Sequence, residues 1–529
     1  MSRSSVILRN VASNWGGFAI NAAVTLALTP FVLRELGTAR YGIWILTSSI
    51  IGYYGFLDLG FRAGVTQYLT RYLAVGDYVG ASECMSSAVA VLGALGMAMF
   101  GLSFGAAYMA PHVFGLPPEM AREAFWCILI VGCSSAIQFA LQPFTSIFTA
   151  TQRFDLANVI GVVTRLLTAG SIVFALKMGE GLIGVGAATC AASAVDYVVR
   201  WRVARRLAPE LEVSVQHASL RRVREISAFG AWNFLISINA FVYQHVPNIL
   251  IGSLMPIAAV GHYALATGLT RQINSVLSPV PQVIYPAAAE LHVRGDRTGL
   301  ERLYHDGSRL MLLVLMSVVL LAVFWAEDFY RLWIGSKYLS GVPFHSVALL
   351  FQILLISVVT SYSSSIAGQI MIGAGRVRLV ATALICGSML NLGISFALIG
   401  HYGLAGVATA TVIGSVAVDL IAMPLLLQRT LGLSALNYLQ QACGRPLAVG
   451  SLQAVALTCI RLTGHAGDWL HLALQGGLAC GASVAIVAGV GVTAAERERF
   501  LMQPLRRVWR RGDSGRPDQQ AAAKAGLTI

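Results

Sequence analysis

Runs of about twenty apolar residues, separated by short polar stretches, recur from Asn14 to Thr493. An α-helix rises about 1.5 Å per residue, so each run is long enough to cross a hydrocarbon core about 30 Å thick. A strand barrel would show shorter segments of alternating character instead. The pattern predicts spans over residues 12–33, 40–60, 84–109, 123–148, 156–177 and 182–203, then 228–253, 260–287, 308–330, 345–371, 379–400 and 404–427. Two more cover 447–463 and 469–493. The expected fold class is all-α: a polytopic membrane protein of about fourteen transmembrane helices.

The polar stretches set an expected orientation. Translocating Lys and Arg is unfavourable, so loops rich in them stay on the cytoplasmic side. With the N terminus inside, 28 of the 37 basic residues fall in cytoplasmic segments, seven fall on the opposite face, and Arg165 and Arg271 fall inside spans. Missing one helix would swap the face of every later loop and destroy this asymmetry. Both termini are expected in the cytoplasm. No charged leader with a short apolar core and a small-residue cleavage site precedes the first span, so that helix is expected to act as the targeting signal.

An internal repeat is visible within the chain. Residues 181–193 match 403–415 at seven of thirteen positions. Gly76-Asp77, after the second span, answers Gly295-Asp296 after the eighth at a spacing of 219, and Thr151-Gln152-Arg153 before the fifth answers Ala374-Gly375-Arg376 before the eleventh at 223. Three landmarks in one order imply two six-helix halves. Six is even, so both halves enter the membrane the same way, which is the parallel-repeat plan of transporters with a site between two lobes. The division expected is residues 1–224 for the N-lobe (helices 1–6), 225–428 for the C-lobe (helices 7–12), 429–495 for two extra C-terminal helices, and 496–529 for a basic cytoplasmic tail.

Composition narrows the chemistry. The chain is 56% apolar and 12% charged with a mean hydropathy of +0.70, where a soluble domain is about one quarter charged. Its eight cysteines lie singly and form no CxxC pair, so neither disulfides nor structural zinc are expected. A net charge of +13 suits an anionic bilayer surface or an anionic substrate. Residues 200–224 and the tail from Arg497 to Arg516 fit anionic lipid headgroups, and nucleic acid is not expected. A P-loop needs Lys before Ser or Thr, but Lys177, Lys337 and Lys524 precede Met, Tyr and Ala. Neither HExxH nor an Asp-x-Asp metal pair occurs, so no cofactor or metal and no enzymatic activity are expected.

Several segments resemble the Wzx-type oligosaccharide and polysaccharide flippases, within the multidrug, oligosaccharidyl-lipid and polysaccharide exporter superfamily. They are Leu36-Gly-Thr-Ala-Arg-Tyr-Gly-Ile-Trp44, Leu57-Asp-Leu-Gly60, Arg71-Tyr-Leu-Ala-Val-Gly-Asp77, Leu332-Trp-Ile-Gly335 with Tyr338, and Tyr402-Gly-Leu-Ala-Gly406. The likeness runs from about residue 10 to 495. It implies a V-shaped pair of lobes, alternating access, and export of undecaprenyl-pyrophosphate-linked sugar units from the cytoplasmic to the periplasmic leaflet of a bacterial inner membrane. Polysaccharide polymerase and assembly proteins are the partners it suggests.

Arg165 and Arg271 fall near the middle of their spans, where an arginine facing lipid costs about 2.5–3.5 kcal/mol on insertion scales. Both should face protein or a wet cavity. A guanidinium there can grip a phosphate through forked hydrogen bonds, so both are candidate pyrophosphate contacts; the plain alternative is local satisfaction by carbonyls or a carboxylate. A cavity-facing arginine on the eighth span is also similar to one in lipid II flippases. Asp196 and Asp419 occupy nearly equivalent places on the sixth and twelfth spans and are candidates for ion coupling, or else anchors paired with Arg200, Arg202 or Arg429. Asp58 is a gating contact or a helix cap. Asn21, Asn239, Tyr243, Gln244 and His245 are candidates for lining a sugar-tolerant lumen. Pro279, Pro281 and Pro286 make the eighth span the expected hinge, because each removes a backbone donor and kinks its helix.

Two other readings stand beside the flippase: a small-molecule, cation-coupled antiporter of the multidrug type, and a membrane enzyme of polysaccharide assembly. A carboxylate-rich pocket would favour the antiporter; arginines at mid-depth favour an anionic, lipid-linked cargo. Two equivalent six-helix halves have no purpose in the enzyme.

Overall fold

A computed structural model describes residues 3–58, 60–434, 438, 442–462 and 464–492, with side chains described from Gly16 onward except at 56–58, 215 and 228–241. Among these residues there is no strand. Nine helices among them are long and apolar enough to span a membrane.

The first half contains α1 (Arg3–Gly52), α2 (Phe61–Ala74), α3 (Tyr78–Val113), α4 (Pro118–Leu141), α5 (Pro143–Ala150), α6 (Phe154–Lys177) and α7 (Gly181–Leu207). The second contains α8 (Leu220–Leu254), α9 (Ile257–Leu277), α10 (Pro279–Gln282), α11 (Ile284–Val293), α12 (Arg297–Ile334), α13 (Val347–Gly373), α14 (Val377–Ser415), a π-helical segment (Val416–Ala422) and α15 (Met423–Leu431). Two further helices follow, α16 (Gly444–Arg461) and α17 (Trp469–Ile486). α1 holds 50 residues, about 75 Å of helix, more than twice a bilayer core. It is two helices joined at Gly37, whose φ of 73° only glycine adopts without strain. Gly403 (φ 53°) divides α14 in the same way.

The landmarks of the sequence repeat share backbone geometry. Asp77 accepts the Gly80 N–H at 2.8 Å and caps α3, and Asp296 accepts the Gly299 N–H at 2.8 Å and caps α12. Gly76 and Gly295 have φ of 72° and 69°, and Gly181 and Gly403 have 56° and 53°. Gln152 sits at φ 55° where its counterpart Gly375 sits at 76°. The break after the second span, around Gly60, recurs 219 residues later at Ser278-Pro279, where α9 gives way to α10. Pro279 and Pro281 lie in that break, and Pro286 lies inside α11. Their missing N–H groups explain why the predicted eighth span is three helical pieces.

Three hydrogen bonds between the halves lie towards the Gly37 end of the bundle. Trp333 donates to the Leu26 carbonyl at 2.6 Å, Thr38 and Tyr338 share a hydroxyl bond at 3.0 Å, and Asn248 donates to Ser49 at 2.9 Å. Gly42 and Gly261 let α1 and α9 cross so closely that a Cβ on either would strike the other helix's backbone. At the arginine-rich end the start of α8 rests on the first half. There the Arg222 Nε donates to Glu83 at 2.9 Å, and Ser82, Ser86 and Ser87 of α3 receive the backbone N–H groups of Glu212, Ser214 and Ser219. The basic stretch expected to lie on lipid headgroups is thus partly strapped to α3.

Candidate functional site

Arg271 lies midway along the predicted eighth span, yet its side chain is exposed. It makes no hydrogen bond or ion pair with a described residue and lies within electrostatic reach of Tyr41 on α1 and His245 on α8. The His245 ring packs against Gly52 and lies 6.1 Å from the Tyr53 ring. Helices from both halves therefore converge on a guanidinium whose donors are unused. Gln244, the next residue of α8, is exposed.

Arg165 occupies a different place. One terminal nitrogen donates to the Thr25 hydroxyl at 2.7 Å, and the buried Nε has no partner among the described residues. It ends a cavity of about 510 Å³ lined by α1, α6 and α7, which also holds Asn21, Asn158, Asp196 and Arg200. Arg271 is not in that lining. Asp196 accepts from Arg200 at 2.8 Å and from Thr164 at 2.9 Å, so its charge is answered locally.

Asp419 is answered otherwise. It lies in the π-helical segment, accepts hydroxyl bonds from Ser361 at 2.8 Å and Ser364 at 3.2 Å on α13, and meets no cation among the described residues. A cavity of about 360 Å³ beside it includes Tyr243, Ser365 and Gln369. The Tyr243 hydroxyl donates to the Thr411 carbonyl at 3.1 Å. A carboxylate among neutral hydroxyl oxygens can bind a proton or a hard monovalent cation. Arg429, the partner considered for it, does not reach it.

The side chains of Asp58 and Asn239 lie outside the described residues. The structure thus brings Arg165 together with Asn21 and Asp196, Arg271 with His245, and Asp419 with Tyr243. Sequence reasoning missed Ser361 and Ser364, although the run Thr360-Ser361-Tyr362-Ser363-Ser364-Ser365 at the centre of an apolar helix is itself a polar signal. It also missed Asp328, which is fully buried beside Arg331 and Arg461.

Comparison with known proteins agrees with this architecture. The chain is 19% identical to the uncharacterized membrane protein EpsK of Bacillus subtilis (strain 168) over 94% of its own length and 98% of the relative's. It is also 19% identical to a putative O-antigen transporter of Shigella flexneri over 63% and 78%. Among solved structures, an inward-facing multidrug resistance MATE family transporter of the MOP superfamily superposes with a TM-score of 0.66 at 13% identity, covering 78% of this chain and 94% of that one. The lipid II flippase MurJ, in an inward closed conformation, superposes at 0.62 and 15% identity, covering 89% and 98%. These two share the fold. Residues 7–292, more than half of the chain, match the profile of the polysaccharide biosynthesis protein family, and the chain belongs to that family.

Proposed function

We propose that the chain flips a lipid-linked oligosaccharide, carried on undecaprenyl pyrophosphate, from the cytoplasmic to the periplasmic leaflet of a bacterial inner membrane by alternating access. It works as a transporter and not as an enzyme, for surface polysaccharide assembly, and its product passes to polymerase and assembly proteins. The observation that carries the reading is Arg271: exposed at mid-span, unpaired among the described residues, and placed where α1, α8 and α9 meet. A phosphate is the group such a guanidinium holds best, through paired charge-assisted bonds. The O-antigen transporter among its relatives and the lipid II flippase among its structural neighbours support a lipid-linked cargo.

In this reading the Gly37 end faces the periplasm, both termini face the cytoplasm, and contact between the halves at the Gly37 end marks an inward-open state. The lobes are residues 1–224 and 225–428, followed by helices 429–495 and the tail. Asn21, Asn239, Tyr243, Gln244 and His245 offer polar surface to sugar, and Arg165 is a second anion station reached from the cytoplasmic side. Asp419 is the ion-coupling group; Asp196, already paired with Arg200, anchors α7. Asp58 gates, and the break at Pro279 and Pro281 bends with Pro286. In vesicles with a fluorescent lipid-linked oligosaccharide, Arg271→Ala abolishes flipping and Arg271→Lys keeps part of it. Normal flipping by the Ala variant removes Arg271 from the mechanism.

A further inference from the structure

A cavity of about 920 Å³ opens between α10–α11 and α12 at the arginine-rich end. Its wall includes Val280, Ile284, Leu303, Gly307 and Met311, and its mouth carries Asp296, Asp306 and Arg302. Subtracting the repeat spacing of 219 gives Phe61, Val65, Cys84, Ala88 and Leu92. Those five are buried around Ile226, a residue of the first turns of α8. The same surface is therefore built twice. In the first half the start of α8 fills it; in the second half no other described element covers it.

The repeat also names the missing occupant. α8 is the first helix of the second half, and its counterpart is α1. Ile20-Asn21-Ala22 matches Ile238-Asn239-Ala240 at a spacing of 218, which sets Leu8 against Ile226. In a pair of halves related by a two-fold axis along the membrane normal, what the start of α8 does to the first half the start of α1 can do to the second. Charge fits as well. Ser87 accepts the Ser219 N–H in the occupied seat; its counterpart Asp306 would face the start of α1, where a helix N terminus favours an anion. The incoming segment carries Arg3 and Arg9, opposite in charge to Asp296 and Asp306 at the mouth. Val283 stands where Gly64 admits the Ile226 backbone, so a helix in this seat would ride further from α11 than α8 does from α2.

We propose that this crevice is the seat of the chain's own N-terminal segment, residues 3–12, which docks there with Leu8 as its anchor when the arginine-rich ends of the halves close. The proposal rests on the alternating-access reading for when the seat fills, and on the repeat alone for what fills it. The start of α1 thereby becomes a latch that moves between the halves.

The test uses the full chain in native membranes with its other cysteines replaced. Leu8→Cys with Leu303→Cys forms an oxidative bridge, identified by mass spectrometry of the linked peptides, as Ile226→Cys does with the native Cys84. Deleting residues 2–12 raises maleimide labelling of Leu303→Cys about tenfold, because the seat stays open. The proposal is overturned if the control pair bridges and the Leu8 pair does not. It is also overturned if labelling rises on truncation after Val492, which makes the tail the occupant, or responds to neither deletion, which leaves the crevice to lipid. None of these readouts uses transport, so they stand or fall apart from the flippase reading.

Discussion

Removing one charge at Asp328 should loosen the last two helices from the rest of the protein. Asp328 is fully buried at the end of α12, where it receives the guanidiniums of Arg331 and Arg461, the Ala466 N–H at 3.1 Å, and a contact from His465 Nδ1 at 3.2 Å. The knot joins α12 to the end of α16 and to the turn before α17. Trp325 adds a bond to Gln475 at 2.9 Å, and Gln475 donates to the Gly464 carbonyl at 3.0 Å. Asp328→Asn keeps the shape and removes the charge, leaving two cations with no counter-ion. Breaking a buried pair costs about 3–5 kcal/mol. The Arg461 and Arg331 side chains keep 19% and 36% of their exposure, so water recovers part of this and about 2–4 kcal/mol remains. At about 1.4 kcal/mol per factor of ten, the fraction of molecules with α16 and α17 detached rises roughly thirty-fold to a thousand-fold. A cysteine in place of Leu457, which is buried between Trp325 and Ala479, reports that opening through its labelling rate in detergent. A change smaller than about threefold would refute the reasoning, since it would mean that the knot contributes less than 1 kcal/mol. Replacing Asp328, Arg331 and Arg461 together by leucine or methionine should restore most of the wild-type rate, because a packed apolar cluster leaves no charge uncompensated.

The remaining predictions use the repeat and the two carboxylates. Gln152→Gly should raise stability by about 1 kcal/mol and Gly375→Ala lower it by a similar amount, because a side chain at positive φ costs about 1–2 kcal/mol; thermal unfolding in detergent checks both. Asp77→Ala and Asp296→Ala should each cost about 1 kcal/mol by removing the cap of α3 or α12, read in the same assay. Asp419→Asn should abolish the response of flipping to an imposed proton or sodium gradient, while Asp196→Asn keeps it and loses about 1–2 kcal/mol of stability. A gradient response unchanged in Asp419→Asn would reject it as the coupling group. Gly42→Ala should destabilise the closed Gly37 end by about 1–3 kcal/mol, seen as faster labelling of a cysteine placed at Ser49.

Much of the architecture was legible because membranes simplify the code. Twenty apolar residues in a row have one stable solution, and a glycine that closes an apolar run marks the left-handed turn at a helix end. The repeat landmarks were visible for that reason: Gly76 with Gly295, and Gly181 with Gly403, are positions where the backbone itself makes the demand. Side-chain partnerships were less legible. Asp196 and Asp419 occupy equivalent places in the sequence, but Arg200 lies one helical turn from the first and no cation reaches the second among the described residues. What decides their chemistry is α13, whose Ser361 and Ser364, 58 and 55 residues away in sequence, face Asp419. Asp328 was passed over because a carboxylate near a span end reads as solvated; its burial depends on α16 and on the turn before α17 folding back over it.

The repeat is most informative where it fails. Two identical halves related by an axis along the membrane normal would offer the passage the same groups from both sides, and neither would be marked as the one that moves. Here the backbone landmarks recur while the chemistry diverges: Gly52 stands where Arg271 stands 219 residues later, Ala88 where Gly307 stands, and a paired carboxylate where one without a cation stands. For the Arg271 position and the carboxylate pair, the member without a charged partner lies in the second half. That half holds the unpaired guanidinium, the carboxylate without a cation and the unfilled seat, whereas the first half has its seat filled by Ile226 and its carboxylate answered by Arg200. A half with its seat filled and its carboxylate paired is suited to be the fixed frame, and a half with those positions open is the one whose contacts a phosphate, an ion or the start of α1 can change. Distance measurements between labels on α3 and α6, set against labels on α12 and α14, should therefore show the first half holding its internal spacing as ligand is added while the second half changes; equal change in both would contradict this division of labour.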